Sequence, residues 1–281
     1  MKKLILPTDF SENATNAINY AQELFANTTC TFYLLNTYTP MMYSYDYQLN
    51  SGAYIGEVLD MVKENSLQKL EELKQKLQIK YKNPKHQFEL ISSFNLLTDE
   101  LDYTITEYDI DLIIMGTKGA SGLNEILFGS NTIHVIKKVK CPVLAIPDGF
   151  FFEKPKDILF PTDYKIDYSN KHLNILKSIA KEHQSAVHTL HVSSGRDLND
   201  EEIKNKNTLE KLLLDLNNTF YTVKDQEIPQ AINEFQKSTY VHLLMMIRNK
   251  HTFLENLFLK KIINQIGFHL TIPFLVVPSK M

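Results

Sequence analysis

The sequence predicts an α/β protein made of two tandem copies of one doubly wound parallel sheet. Three observations lead there. Short apolar runs alternate with helical patterns along the chain, as strands joined by crossover helices do. The opening Ile5-Leu6-Pro7-Thr8-Asp9 returns as Leu159-Phe160-Pro161-Thr162-Asp163. The closing segments of the two halves align without a gap at one offset, Cys141-Pro142 on Ile272-Pro273 and Pro147 on Pro278.

The elements follow in order. Leu4-Ile5-Leu6 is a short buried strand ended by Pro7-Thr8-Asp9, and Ser11 is a good N-cap for a helix whose stripe is Ala14, Ala17, Ile18, Ala21, Leu24 and Phe25. Cys30–Asn36 is a second strand. The stretch 38–56 is irregular and rich in tyrosine, as a functional loop or a partner-facing lid would be. Glu57–Lys80 is a long helix with Val58, Met61, Val62, Leu67, Leu70, Leu73 and Leu77 as its stripe. His86–Ser92 is a third strand, Leu96–Tyr108 a helix, and Asp111–Met115 a fourth strand. A helix from about Asn131 and a fifth strand, Val143–Ile146, complete the unit. Parallel sheets of this kind bind ligands beyond the strand C-termini, which puts Pro7-Thr8-Asp9, Asn36-Thr37 and Gly116 on one rim.

The chain has 281 residues, about two domains. The expected units are 1–148 and 156–281, with Asp148–Pro155 as linker. The 43% hydrophobic and 22% charged content is ordinary for a globular chain, and a net charge of −3 gives no reason to expect nucleic acid or anionic membrane as partners. Cys30 and Cys141 make no metal pattern and point to a reducing compartment. His183, His188 and His191 lack zinc-site spacing. The apolar run before Pro7 is too short for a signal peptide, and no stretch approaches the ~20 apolar residues of a membrane span, so a cytoplasmic protein is expected.

The most informative stretch is Ile113–Cys141. An apolar strand stops at Gly116; Gly119 follows, then Gly129-Ser130, then the helical pattern Ile133, Val135, Ile136, Val139. Glycines let a backbone approach a ligand, and a helix start offers unpaired N–H groups and the positive end of its dipole. An anion is therefore at home here; a glycine-rich connecting loop with no ligand is the alternative. Rival motifs fail. Five positions after Gly116 stands Ser121, not the second glycine of a Walker A loop; no glycine pair has dinucleotide spacing; and Leu123 stands where a nucleophile elbow needs glycine.

The spacing Gly-x2-Gly-x9-Gly-Ser resembles the ATP-binding signature of the universal stress protein family, whose domains have a nucleotide-binding, α-hydrolase-like fold. The resemblance covers the whole chain, as a tandem member with a degenerate second half. It implies ATP, bringing its own Mg²⁺, on the first half. Asp9 matches the acidic residue near the ribose hydroxyls, with Pro7 and Thr8 beside the base. Thr37 stands where valine is usual against adenine, and Met115 and Gly116 line base and ribose. Gly119, Gly129, Ser130, Asn131 and Thr132 match the phosphate cradle.

In the second half Gly116 falls on Ile247, Gly119 on Lys250, Gly129 on Lys260 and Ser130 on Lys261, so one nucleotide per chain is expected. The resemblance also implies an intramolecular pseudo-dimer through Val143–Ile146 and Phe274–Val277, with a homodimer of whole chains left open. No motif fixes a general base, so a nucleotide-binding regulatory or stress-response protein leads. A slow ATPase or phosphotransfer enzyme and an interaction protein with a vestigial nucleotide site are the alternatives.

Overall fold

The computed structural model describes residues 1–39, 55–117, 129–193, 195–224, 226–249 and 271–280. Most of the Tyr-rich stretch, Gly119 and positions 250, 260 and 261 lie outside them. The first half runs β1 (Lys2–Pro7), α1 (Glu12–Leu24), β2 (Cys30–Tyr38), α2 (Ile55–Tyr81), β3 (His86–Phe94), α3 (Leu97–Tyr108), β4 (Leu112–Gly116), α4 (Ser130–Lys138) and β5 (Val143–Ile146). The second runs β6 (Asp157–Thr162), α5 (Asn170–His183), β7 (Ala186–Ser193), α6 (Asp200–Leu213), β8 (Asn217–Lys224), α7 (Ile228–Ser238), β9 (Leu243–Arg248) and β10 (Phe274–Pro278).

All ten strands form one sheet in the order β3-β2-β1-β4-β5-β10-β9-β6-β7-β8. Each half has the same internal order, counted outward from the junction. Neighbours within each half are parallel, and β5 and β10 meet antiparallel, with Phe274 opposite Ala145, Leu275 opposite Leu144 and Val276 opposite Val143. Leu144 and Leu275 are equivalent positions of the repeat, so a pseudo-two-fold axis passes between them. The expected pairing of closing strands is present, and it covers two edges that would otherwise expose unpaired backbone groups. Because the junction is antiparallel, the C-terminal rims of the two halves face opposite ends of the sheet.

The core is continuous across the junction on both faces. One layer holds Ile18 and Leu70 with Leu144, Leu275, Leu173 and Leu209. The other holds Leu101, Val135 and Val143 with Val276, Ile232 and Leu244. Helices α1, α2, α5 and α6 thus cover one face and α3, α4 and α7 the other, which is the doubly wound arrangement expected. Side chains also cross between halves at the C-terminal end of α1. The His183 ring hydrogen-bonds the Leu24 carbonyl at 2.8 Å, and the Glu182 carboxylate accepts from the Asn27 amide and the Thr28 hydroxyl. The linker lies against α1, with the Phe152 ring edge-on to Tyr20 at 5.3 Å.

Local expectations hold where capping and burial decide them. Ser11 caps α1, its hydroxyl accepting from the Ala14 amide, and the whole predicted stripe of α1 is buried. Two expectations need correction. In α2 the inward positions are Val62, Ser66, Leu70 and Leu77, while Met61 is 48% and Leu67 38% exposed. The helix is turned so that Ser66 meets polar partners: its hydroxyl donates to Asn36 Oδ1 at 2.8 Å and takes the Ser92 hydroxyl at 2.8 Å. Strand β2 continues beyond Asn36 to Tyr38, because β3 continues beside it, pairing Thr37 with Ser93 and Tyr38 with Phe94.

Candidate functional site

Parallel pairing brings the ends of β1, β2 and β4 to one rim. Strand β1 lies between β2 and β4, and its C-terminal end is the place where strand order reverses within the half, the usual ligand position of such sheets. The turn after β1 is held by side chains of its own residues. Thr8 Oγ1 accepts from the Phe10 amide at 2.9 Å, and Asp9 Oδ1 from the Ser11 amide at 3.0 Å. These bonds hold Phe10 at φ 65°, a left-handed conformation uncommon outside glycine. Thr8 is buried; its amide donates to the Leu35 carbonyl and its carbonyl accepts from Asn36 Nδ2 at 2.7 Å. The polar groups of Thr8 therefore build the turn, and Asp9 is left exposed at its tip.

The second half repeats this turn atom for atom. Thr162 Oγ1 accepts from the Tyr164 amide, Asp163 Oδ1 from the Lys165 amide, and Tyr164 has φ 58°. His191, the counterpart of Asn36, does the same work: its Nδ1 donates to the Thr162 carbonyl at 3.0 Å. The carbonyl can only accept, so the Nδ1 of His191 carries a proton.

On the other side of the rim, β4 ends in buried Met115 and Gly116. The Gly129 amide donates to the Thr117 carbonyl at 2.5 Å, and the buried Thr132 hydroxyl donates to the Gly116 carbonyl at 2.9 Å. Together they fix the start of α4 against the end of β4. Gly129 is the N-cap, at φ −58° and ψ 156°, and among the described residues no side chain caps the helix. This backbone suits any residue, so the conformation of Gly129 does not itself require glycine. Ser130 and Asn131 are exposed at the first turn. Thr37 is half-buried in β2 at the same rim, and Pro7 is buried as the last residue of β1. At its other end α4 is held by the second half, Arg248 donating from its guanidinium to the carbonyls of Lys137 and Val139. A cation there also suits the negative end of the helix dipole.

Gly116 has a structural reason to be glycine. A Cβ at this position would come within 1.8 Å of Asn13 Oδ1 and 2.7 Å of its Cγ. Asn13 is itself buried and its Nδ2 donates to Asp148 at 3.2 Å. Gly116→Ala is expected to cost about 1–3 kcal/mol, the range for overpacking a filled site. Urea unfolding measures this, and a variant as stable as the parent would remove the packing role.

Sequence patterns did not point to Asn13 or Arg248, because neither belongs to a motif and both act across more than a hundred residues. Asn36 carried a weak signal in its place on the predicted rim. The second rim was also missed as a cavity. The structure has a cleft there, lined by Pro161, Thr162, Asp163, Val192, Met246 and Ile247 among others. These six are the repeat equivalents of Pro7, Thr8, Asp9, Thr37, Met115 and Gly116. Burial pushes the Tyr168 hydroxyl in the same wall far above its usual pKa, so it stays protonated. The cysteines are buried thiols; burial pushes Cys30 up to about 12 and Cys141 upward as well.

This geometry defines a class: tandem, doubly wound α/β proteins with a switch point of strand order in each half. The model of the universal stress protein family matches residues 1–147, just over half of the chain, and the chain belongs to that family. It is similar to two universal stress proteins of Methanocaldococcus jannaschii. MJ0531 is 29% identical over 160 residues, 55% of this chain and 84% of that protein. MJ0577 is 26% identical over 159 residues, 52% of this chain and 94% of that protein. A solved universal stress protein from Archaeoglobus fulgidus has the same fold over both halves, with a TM-score of 0.71 at 19% identity, covering 99% of this chain and 98% of that one. Among the described residues no helix is long and apolar enough to cross a membrane, and no group of three metal-binding side chains comes together.

Proposed function

We propose that this chain is a nucleotide-binding stress or regulatory protein that holds one ATP on the rim of its first half, as a ligand rather than as a substrate. One observation carries most of the weight. At the switch point beside β1, an exposed carboxylate on a locally fixed turn stands on the same rim as a helix that starts at a bare glycine with no side-chain cap among the described residues. A carboxylate accepts well from a diol, and the first amides of an uncapped helix donate well to phosphate. Asp9 then takes the ribose hydroxyls, with Pro7, Thr8, Thr37, Met115 and Gly116 around base and sugar. Ser130, Asn131 and Thr132 contribute backbone N–H groups to the phosphates, Gly129, whose own amide is bound to the Thr117 carbonyl, leaves them room to approach, and Gly119 belongs to the same cradle. The Thr132 hydroxyl is already bound to Gly116, so the expected contribution of Thr132 is its amide. Any Mg²⁺ arrives with the nucleotide.

Asp9→Ala is expected to weaken ATP binding by about 1–3 kcal/mol, the scale of a charge-assisted hydrogen bond. Asp163→Ala should leave ATP affinity unchanged. Calorimetric titration of the two variants and the parent measures both, and should saturate near one equivalent per chain. Equal losses from the two substitutions would mean that ATP does not sit where we propose. Turnover of radiolabelled ATP tests the alternative of a slow ATPase: hydrolysis that disappears in Gly129→Val would establish that activity.

A further inference from the structure

Helix α4 belongs to the first half, but its C-terminal end is gripped by the second. The last carbonyls of a helix have no partner within it. Here Arg248 of β9 supplies one, its guanidinium donating to the carbonyl of Lys137 and, at 3.0 Å, to that of Val139. A planar fork spanning two carbonyls is a contact that lysine does not reproduce. The side chain also starts from a fixed backbone. Arg248 is the last residue of β9, it pairs with Pro278 of β10, and its carbonyl accepts from the Ser279 amide at 2.9 Å. Helix α4 needs such a grip. It has 9 residues, about 13 Å of helix, and is too short to be stable alone in water. Val135 and Ile136 pack its apolar face into the shared core, and the Gly129 amide and Thr132 hydroxyl tie its start to the end of β4. Those contacts fix one face and one end. Arg248 fixes the other end, and with it the direction of the helix axis.

We infer that Arg248 is a positioning residue for phosphate binding: by gripping the C-terminus of α4, the second half aims the amides of Ser130, Asn131 and Thr132 at a ligand on the first. The inference rests on the nucleotide reading of the first rim; the grip itself stands without it. Arg248 acts through the helix and not by contact. It stands at the opposite end of α4 from those amides, about 13 Å away along the axis, which exceeds the Debye length of about 10 Å at 0.1 M salt. Its charge therefore adds little at the phosphates and serves the helix locally, as a cation beside the negative end of the dipole. The base and ribose side of the rim is built by β1, β2 and β4 and is not part of this contact. Arg248 should therefore matter to a phosphorylated ligand and be indifferent to the nucleoside. The second half thus tunes the first rim without touching what binds there.

The test uses full-length protein and three variants. Arg248→Met keeps the apolar stem and removes the fork, Arg248→Lys keeps the charge and loses the fork, and His183→Ala removes a different contact between the halves, at the end of α1. Without ligand, the Ile133 and Val139 amides, which donate to the Gly129 and Val135 carbonyls, are expected to exchange at least tenfold faster in Arg248→Met and at the parent rate in His183→Ala. In calorimetric titration, ATP affinity should fall at least fivefold in Arg248→Met and at least threefold in Arg248→Lys, and stay within twofold in His183→Ala. Adenosine, followed into the millimolar range by the ¹³C-labelled methyl of Met115 at the end of β4, should bind every variant within twofold of the parent. Unchanged exchange at Ile133 overturns the inference. So does an equal loss for adenosine and ATP, or an equal loss in His183→Ala, either of which means general loosening. Full ATP affinity in Arg248→Lys overturns it too, by making the effect one of charge. Failure of the nucleotide reading shows separately: the Asn131 and Thr132 amides of the parent then ignore ATP, which ends the phosphate role, while exchange at Ile133 still depends on Arg248.

Discussion

Gly129→Val is expected to reduce ATP affinity at least 100-fold, about 3 kcal/mol, while leaving the fold in place. The structure separates those two effects. At φ −58° and ψ 156° Gly129 has a backbone that valine adopts without strain, and its one amide bond, to the Thr117 carbonyl, survives the substitution. The cap loses no side-chain bond, because glycine supplies none, so the helix start should lose no more than about 1 kcal/mol. The loss falls on the ligand. A branched side chain at the N-cap stands over the first-turn amides and keeps a phosphate from reaching them. Titration calorimetry and thermal unfolding on the same preparation measure both quantities. An affinity within threefold of the parent would remove α4 from the phosphate site, and a melting temperature lowered by more than a few degrees would contradict the unstrained backbone.

The parts of the fold written in hydrophobic periodicity and repetition were legible. The strand–helix alternation, the internal echo of Pro-Thr-Asp and the gapless alignment of the closing strands were enough to predict both halves, and the family resemblance added their junction. What failed was decided by polar contacts between distant residues. Leu67 looked like a core position of α2 and Ser66 did not, but the helix face is set by a serine chain from Ser92 through Ser66 to Asn36, which periodicity of apolar residues does not register. Of the candidate site, the turn at Asp9 and the helix start at Gly129 were legible because short motifs encode them. The packing duty of Gly116 was not, since it depends on Asn13 reaching over from α1. The second-half cleft was hidden for a different reason: absent glycines signal the loss of a phosphate cradle and are silent about the walls that remain.

Leu144→Ala and Leu275→Ala are expected to destabilise the protein by similar amounts, about 2–5 kcal/mol each, the range for truncating a leucine in a filled core. Both side chains are completely buried, in the same core layer, and they stand opposite each other across the β5–β10 junction. Directly opposed residues of an antiparallel pair are close enough to touch, so the two costs should not add. The first truncation already removes the contact between them, and the double variant should cost less than the sum by at least about 0.5 kcal/mol. Repeat symmetry makes the comparison demanding: positions equivalent in sequence, meeting on the pseudo-two-fold axis, should respond alike even though the halves have diverged elsewhere. Urea unfolding followed by circular dichroism gives all three values. A cost below 1 kcal/mol at either position, or strict additivity, would mean that the halves are joined chiefly by other contacts, such as those of His183, Glu182 and Arg248. The same junction gives the second half a structural role even though it lacks the glycine pattern of the first. Strand β5 is buried along its whole length, and without β10 its backbone N–H and C=O groups would form an open edge.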